Sequence, residues 1–208
     1  MRNYKSEIWW DIFENTVIDY HKFDDVDAEK TNPFEKNGQL ENLLYDKCWI
    51  DCVQWHLEDI IRNPEIDPVE ALKIKRRIDA SNQERTNLVE KIDEYFYEVY
   101  KSIPLRSEAQ INTETLAWAI DRLSILSLKI YHMKAETERS DASQDHFTKC
   151  KEKLDILQLQ KSDLCLSINQ LINDISRGNK IIRLYKQMKM YNDPSLNPVL
   201  YKTHKQGE

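Results

Sequence analysis

Arg85 is the residue of this chain whose type and position most call for chemistry. It lies in RRIDASNQERTNLV (76–89). Projected at about 100° per residue, it falls on the arc of Ala71, Ile74, Ile78, Val89, Ile92 and Phe96, with Ser81 and Asn82 at the margins. A guanidinium does not sit unpaired among apolar side chains, because desolvation costs several kcal/mol even after relaxation. It needs a carboxylate, carbonyls or a bound anion. Two readings follow. Arg85 is half of an internal salt bridge that fixes helix register, or its planar fork grips a ligand's phosphate or carboxylate, with Asn82 orienting the ligand.

Two other segments carry charge on largely apolar helical patterns. Asp51, Trp55, Glu58 and Arg62 recur at four, three and four residues, with Asp59 beside them. The rest of that circumference holds Leu43, Ile50, Val53, Leu57, Ile60 and Ile61. The stripe reads as the solvent side of the helix, with Glu58 and Arg62 an i,i+4 pair, or as the acid wall of a site in which Trp55 is covered by a ligand. In AWAIDRLSILSLKIYHM (117–133), Glu114, Asp121, Arg122, Lys129 and His132 oppose a core face of Leu116, Ala119, Leu123, Leu126 and Ile130. The ligand-site reading gives Glu58, Asp59 and Asp121 acid–base or counter-ion work. It gives Arg85, Asn82, Arg122, Lys129, His132 and Trp55 the binding. Asp121 and His132 are eleven residues apart, about 16 Å along a helix, so they do not form a catalytic pair.

The spacings argue against most metal sites. Cys48, Cys52 and His56 step by four, which spreads them over about 12 Å, and cysteines on bundle helices are usually core residues. His21 with Asp24, Asp25 and Asp27 is the better cluster for a divalent cation, though acids after a helix are usually solvated loop. Glu-x-x-His, the di-iron bundle pattern, is absent, as are a P-loop, a dinucleotide glycine motif, HExxH and GxSxG.

The elements that must position these residues are helices. Three glycines and six prolines in 208 residues leave little for hairpin turns, and 32% charged with 40% apolar residues suits helices with wet outer faces. Periodicity and caps predict helices at about 6–21, 39–62, 68–101, 113–139 and 141–177, then a short basic one over 180–191. Asp67-Pro68 with Glu70 predicts a capping-box start. Asp141 with Gln144 predicts another, and Gly178 a C-cap. In the fifth helix an apolar row from Phe147 to Ile175 is interrupted by Lys161. Together these predict an all-α, up-and-down bundle of about five main helices plus a short C-terminal helix, in a single domain over 1–208. An acidic loop occupies 22–38 and an irregular tail 192–208. The net charge of −6 argues against a nucleic-acid partner, no apolar run is long enough to span a membrane, and the N-terminus lacks the pattern of a secretion signal. The four cysteines read as reduced thiols, and the expected location is the cytoplasm.

IDCVQWHLEDIIRNPEIDPVEALKIKRRIDASNQERTNLVEKID, INTETLAWAIDRLSILSLKIYHM and YKQMKMYNDPSLNPVLY resemble a bacterial family of unknown function, number 4254 among such domains. The resemblance covers nearly the whole chain. It implies a cytoplasmic, all-helical protein and a loose association with cell-surface sugar biosynthesis, and supplies no catalytic residues. RRIDASNQERTNLVEKI is also similar to the first long helix of chorismate mutases, where arginines on bundle helices grip a dicarboxylate. The functional expectation is a bundle protein that binds a small anionic metabolite at an internal polar layer, with a divalent cation as the conceivable cofactor. The alternative is an interaction module or homodimer whose embedded charges are structural.

Overall fold

The computed structural model describes residues 4–36, 38–190 and 193–204, the side chains of 203 and 204 excepted. Among the described residues the helices are α1 (Ser6–Tyr20), α2 (Gln39–Ile61), α3 (Pro68–Tyr100), α4 (Leu116–Glu138), α5 (Gln144–Ser176) and α6 (Pro198–His204). No β-strand is formed there beyond an isolated bridge between Gln110 and Lys180. The all-α bundle is as the sequence predicts. Among the described residues no helix is long and apolar enough to cross a membrane.

Residue pairings give the direction of each helix. Asp51 meets Arg85 and Gln54 meets Asn82, so α2 and α3 are antiparallel; Lys47 meets Asp121 and His56 meets His132, so α2 and α4 are parallel. The up-and-down run thus covers α2 to α5. α1 joins it parallel to α2, since Phe13 meets Cys48 and His21 meets His56. The segment between them is what permits this. It runs back along α2, with Val26 packed near Leu57, Lys30 on Asp46 and Asn32 on Asn42.

α4 is the central helix. It packs against α1, α2, α3 and α5, so even the residues opposite its main core face are covered, Leu128 completely. Its start is fixed by α3: the Asp93 carboxylate accepts from Thr115 Oγ1 at 2.6 Å and from the Ala117 N–H at 3.2 Å. Burial pushes the Asp93 carboxyl up to about 6, against the pull of those two hydrogen bonds.

The caps differ in detail from expectation. Asp67 accepts from the N–H groups of Val69 and Glu70, but Glu70 turns to Lys73 rather than back to the cap. α5 is capped by Ser143, two residues after Asp141, which is held instead by Arg139. Lys161, the interruption in the α5 apolar row, lays its ammonium 4.0 Å over the Trp10 ring. Gly178 ends α5 with φ 71°, and a Cβ there would meet the Pro104 carbonyl oxygen at 2.2 Å.

The basic helix expected at 180–191 does not form over 180–190, and residue 191 lies outside the described residues. Residues 181–190 make a strap along α3, with Lys186 on Glu90 and Glu94, the Gln187 N–H on Glu90, and Lys189 on the Asn82 carbonyl. Contacts to acids on α3 replace the intrahelical hydrogen bonds. The short C-terminal helix lies instead at Pro198–His204, within the stretch expected to be irregular.

Candidate functional site

Arg85 reaches from α3 into the seam between α2 and α4, where it meets two acids and, beyond them, a second cation. Its Nε donates to Asp51 Oδ1 at 3.0 Å, and its Nη2 to Asp121 at 2.6 and 2.7 Å. Lys47, fully buried, lies 2.5 Å from Asp51 Oδ2 and 2.8 Å from Asp121 Oδ1. Ser124 adds a 2.6 Å hydrogen bond to Asp51. Two acids and two bases cancel, which is how a bundle interior holds four charges without an isolated ion. Burial pushes the Asp51 carboxyl up, Lys47 and Arg85 oppose that, and the Asp121 charge adds to it. Lys47 escaped the sequence reading. The signal was its place one turn before Asp51, beside the core residues Leu44 and Cys48.

The layer is closed on the Lys47 side and open on the Arg85 side. Arg85 Nη1 makes no hydrogen bond to a described residue. The side chain sits at the base of a cleft of about 400 Å³ walled by Trp55, Glu58, Asp59 and Arg62 of α2, with Ile125 of α4 opposite. Glu58 and Arg62 pair across 2.6 Å. Asn82 stands a turn from Arg85; its Oδ1 accepts from Gln54 and its carbonyl from Lys189 at 3.1 Å. Lys189 forms no ion pair within the described residues. Burial holds its ammonium below the usual lysine range, the Arg85 charge adds to this, and Glu90 opposes. Met188, next to it, is held at φ 48°, a conformation rare for an unbranched residue other than glycine, Asn or Asp.

Not all the expected residues converge. Asp51, Trp55, Glu58, Asp59, Arg85 and the Asp121 carboxylate gather at or beneath the cleft. Arg122 and Lys129 line a larger groove of about 700 Å³ between α4 and α5, where Arg122 pairs with Glu114 at 2.9 Å. Ile125 borders both spaces.

His132 belongs to a third group, with His21 and His56. One ring nitrogen of each lies within 4.8 Å of those of the other two. His21 Nδ1 is 2.7 Å from the Val17 carbonyl, and His21 Nε2 is 3.2 Å from His56 Nε2. Asp24 lies 3.5 Å from His56 Nε2 and Asp59 3.9 Å from His56 Nδ1. Burial, together with the neighbouring imidazoles, pushes His132 down to about 4, and burial lowers His21. Asp25 takes no part: it is exposed and accepts from the Asp27 N–H, while Asp27 pairs with Arg77. Cys48 and Cys52 are core residues, and the two imidazoles that meet His56 come from α4 and from the residue that ends α1. One signal marked this trio in the sequence: each histidine directly follows an aromatic residue, in Tyr20-His21, Trp55-His56 and Tyr131-His132.

Fold and site define a helical bundle keyed by a buried, charge-neutral layer beside a polar cleft. The chain belongs to the family described as protein of unknown function (DUF4254), whose model matches residues 41–184. That span contains the whole four-charge layer, His56 and His132; His21 and Lys189 lie outside it. No curated protein and no solved structure matches, so neither comparison returns a chorismate mutase.

Proposed function

We propose that the protein binds a small anionic metabolite, through a phosphate or carboxylate, in the cleft over Arg85. One observation carries this reading: counting Lys189, the polar layer has three cations, Lys47, Arg85 and Lys189, against two acids, Asp51 and Asp121. The surplus charge is Lys189, which donates to the Asn82 carbonyl about one turn of α3 from Arg85 and feels the guanidinium's charge. An anion there relieves repulsion between the two cations and gains charge-assisted hydrogen bonds. Asp121 and Asp51 serve as counter-ions that hold Arg85 in place, Asn82 orients the ligand, and Trp55 offers a flat apolar wall. Glu58 and Asp59 are the acids available for proton transfer at the cleft.

A thermal-shift screen of phosphorylated sugars, nucleotides and small dicarboxylates tests this, since a ligand at 100 times its Kd adds about 2.7 kcal/mol of stability. Lys189→Met is the informative variant, because it removes the surplus charge without unpairing a buried acid. It should abolish the shift while leaving the unliganded melting temperature nearly unchanged. A silent panel, or a shift that survives the substitution, refutes the assignment. The interaction-module alternative draws on a different feature: Ile156, Leu159 and Leu166 form an exposed apolar row on α5, where a second copy would pack. Light scattering at high concentration decides that version.

A further inference from the structure

We infer that His21, His56 and His132 form a binding site for a divalent transition-metal ion of the zinc class, with Asp24 as the fourth donor. The inference is independent of the cleft ligand proposed above. Donors around tetrahedral zinc, at 2.0–2.1 Å from the ion, stand about 3.3 Å apart. The separation of 3.2 Å between the His21 and His56 Nε2 atoms has that value already, and the third ring nitrogen needs only a small rotamer adjustment from within 4.8 Å.

Proton accounting gives a second, separate reason. His21 Nδ1 donates to the Val17 carbonyl at 2.7 Å, so its Nε2 carries a lone pair pointing into the cluster. This is the outer hydrogen bond that fixes tautomer and ring orientation in histidine–metal sites. His56 Nε2 has one proton at most to share with it. His132 Nε2 is buried and has no hydrogen-bond partner among the described residues, a position that costs free energy unless something fills it. A single cation between the rings satisfies all three nitrogens.

The surroundings hold the rings in place. Tyr20 stacks on His56 (centroids 5.3 Å apart) and Trp55 on His132 (4.7 Å), while Tyr131 lies tilted against His21 (4.1 Å). The aromatic that precedes each histidine therefore packs on another histidine of the trio, a closed cycle of three helices. Asp24 follows at the end of α1 with φ 51°, a left-handed turn that Asp tolerates better than most residues, and its carboxylate sits 3.5 Å from His56 Nε2. Three imidazoles and one carboxylate suit zinc, and also nickel, copper or iron, over calcium or magnesium, which prefer all-oxygen shells.

The test uses the full chain after chelator treatment, titrated with Zn²⁺ alone by calorimetry and with Co²⁺ by visible absorption. One equivalent should bind with a Kd below about 1 µM. His56→Gln and His132→Gln should each weaken binding at least 100-fold, and His146→Gln should leave it unchanged. That control matters because Glu136, His146 and Cys150 form a second group of possible donors. If a histidine variant fails to fold, the Co²⁺ spectrum of the unaltered protein decides. Tetrahedral bands without thiolate charge transfer support the trio, and a thiolate band places the ion at Cys150 and overturns the proposal. Absence of stoichiometric binding, or binding indifferent to His56→Gln and His132→Gln, overturns it as well.

Discussion

Replacing Lys47 by methionine tests the four-charge layer most directly, because Lys47 is wholly buried and lines neither the cleft nor the histidine cluster. Its ammonium touches Asp51 Oδ2, Asp121 Oδ1 and the Asp121 carbonyl, and methionine nearly reproduces its volume, so packing is preserved. What changes is charge: Asp51 and Asp121 are left with Arg85 alone, one uncompensated negative charge in the interior. Removing one partner of a buried pair costs about 3–5 kcal/mol, which for a chain of this size lowers the melting temperature by roughly 6–20 °C. Urea denaturation, with the slope checked for constancy, gives the number. Adding Asp51→Asn to Lys47→Met returns the layer to one acid and one base, so the double variant should recover about 1–3 kcal/mol relative to the sum of the singles. The loss in Lys47→Met should also shrink as pH falls, because Asp51, whose carboxyl burial already pushes up, then becomes neutral. A loss below about 1 kcal/mol, or strictly additive singles, would refute the view that these four groups neutralise one another as a unit.

Two further outcomes follow from other parts of the fold. Burial pushes the Asp93 carboxyl up to about 6 in the folded protein, from 3.8 as an unperturbed carboxyl. The folded state therefore holds its proton more tightly, and the stability this provides is complete below pH 3.8 and lost as pH rises through 6. Measured as the difference between wild type and Asp93→Asn, with Glu90 and Lys186 unchanged in both, stability should fall across that window and be flat above it; a difference that rises with pH would contradict the assignment. Gly178→Ala forces a side chain into left-handed backbone and against the Pro104 carbonyl oxygen, so it should cost about 2 kcal/mol or more, seen in the urea midpoint; a neutral result would mean that the α5 end and the 104–110 loop separate easily.

The helices were legible because their signals are local. Asp67-Pro68, Gly178 and the three-four spacing of apolar residues place ends and faces without reference to distant parts of the chain. The 180–191 segment misled for the opposite reason. Its amphipathic pattern suits a helix, but Glu90 and Glu94 on α3 bind Lys186 and the Gln187 backbone, and that competition is invisible in a single stretch. Arg85 was legible as a residue that must meet a negative charge, whereas its partner could not be chosen, since Asp51, Glu58, Asp59 and Asp121 all qualify by face. Lys47 was missed because an i,i+4 Lys–Asp pair usually lies on a helix surface. The histidines are legible only helix by helix, His56 beside Cys48 and Cys52, His21 beside the acids that follow it and His132 as a ligand-binding residue on the face of Asp121; only the parallel run of α1, α2 and α4 brings them together from positions 21, 56 and 132.

That parallel arrangement links the two polar groups. On α2 the layer residues Lys47 and Asp51 precede His56, and on α4 Asp121 and Ser124 precede His132, so charge layer and histidine trio are two levels of one seam. Apolar side chains alone tolerate a slip of one helix past another, since Leu and Ile repack at modest cost. A slip of one turn, about 5.4 Å, would carry Lys47 away from Asp121 and Ser124 from Asp51, stranding charges where water does not reach. The layer thus penalises every register but one. In that register His56 and His132 stand at the same height, with Trp55 stacked on the second and lining the cleft above Arg85. Internal salt bridge and the proposed ligand site are therefore compatible accounts of Arg85: pairing it to the protein's own acids fixes the register that places the cleft and the imidazoles.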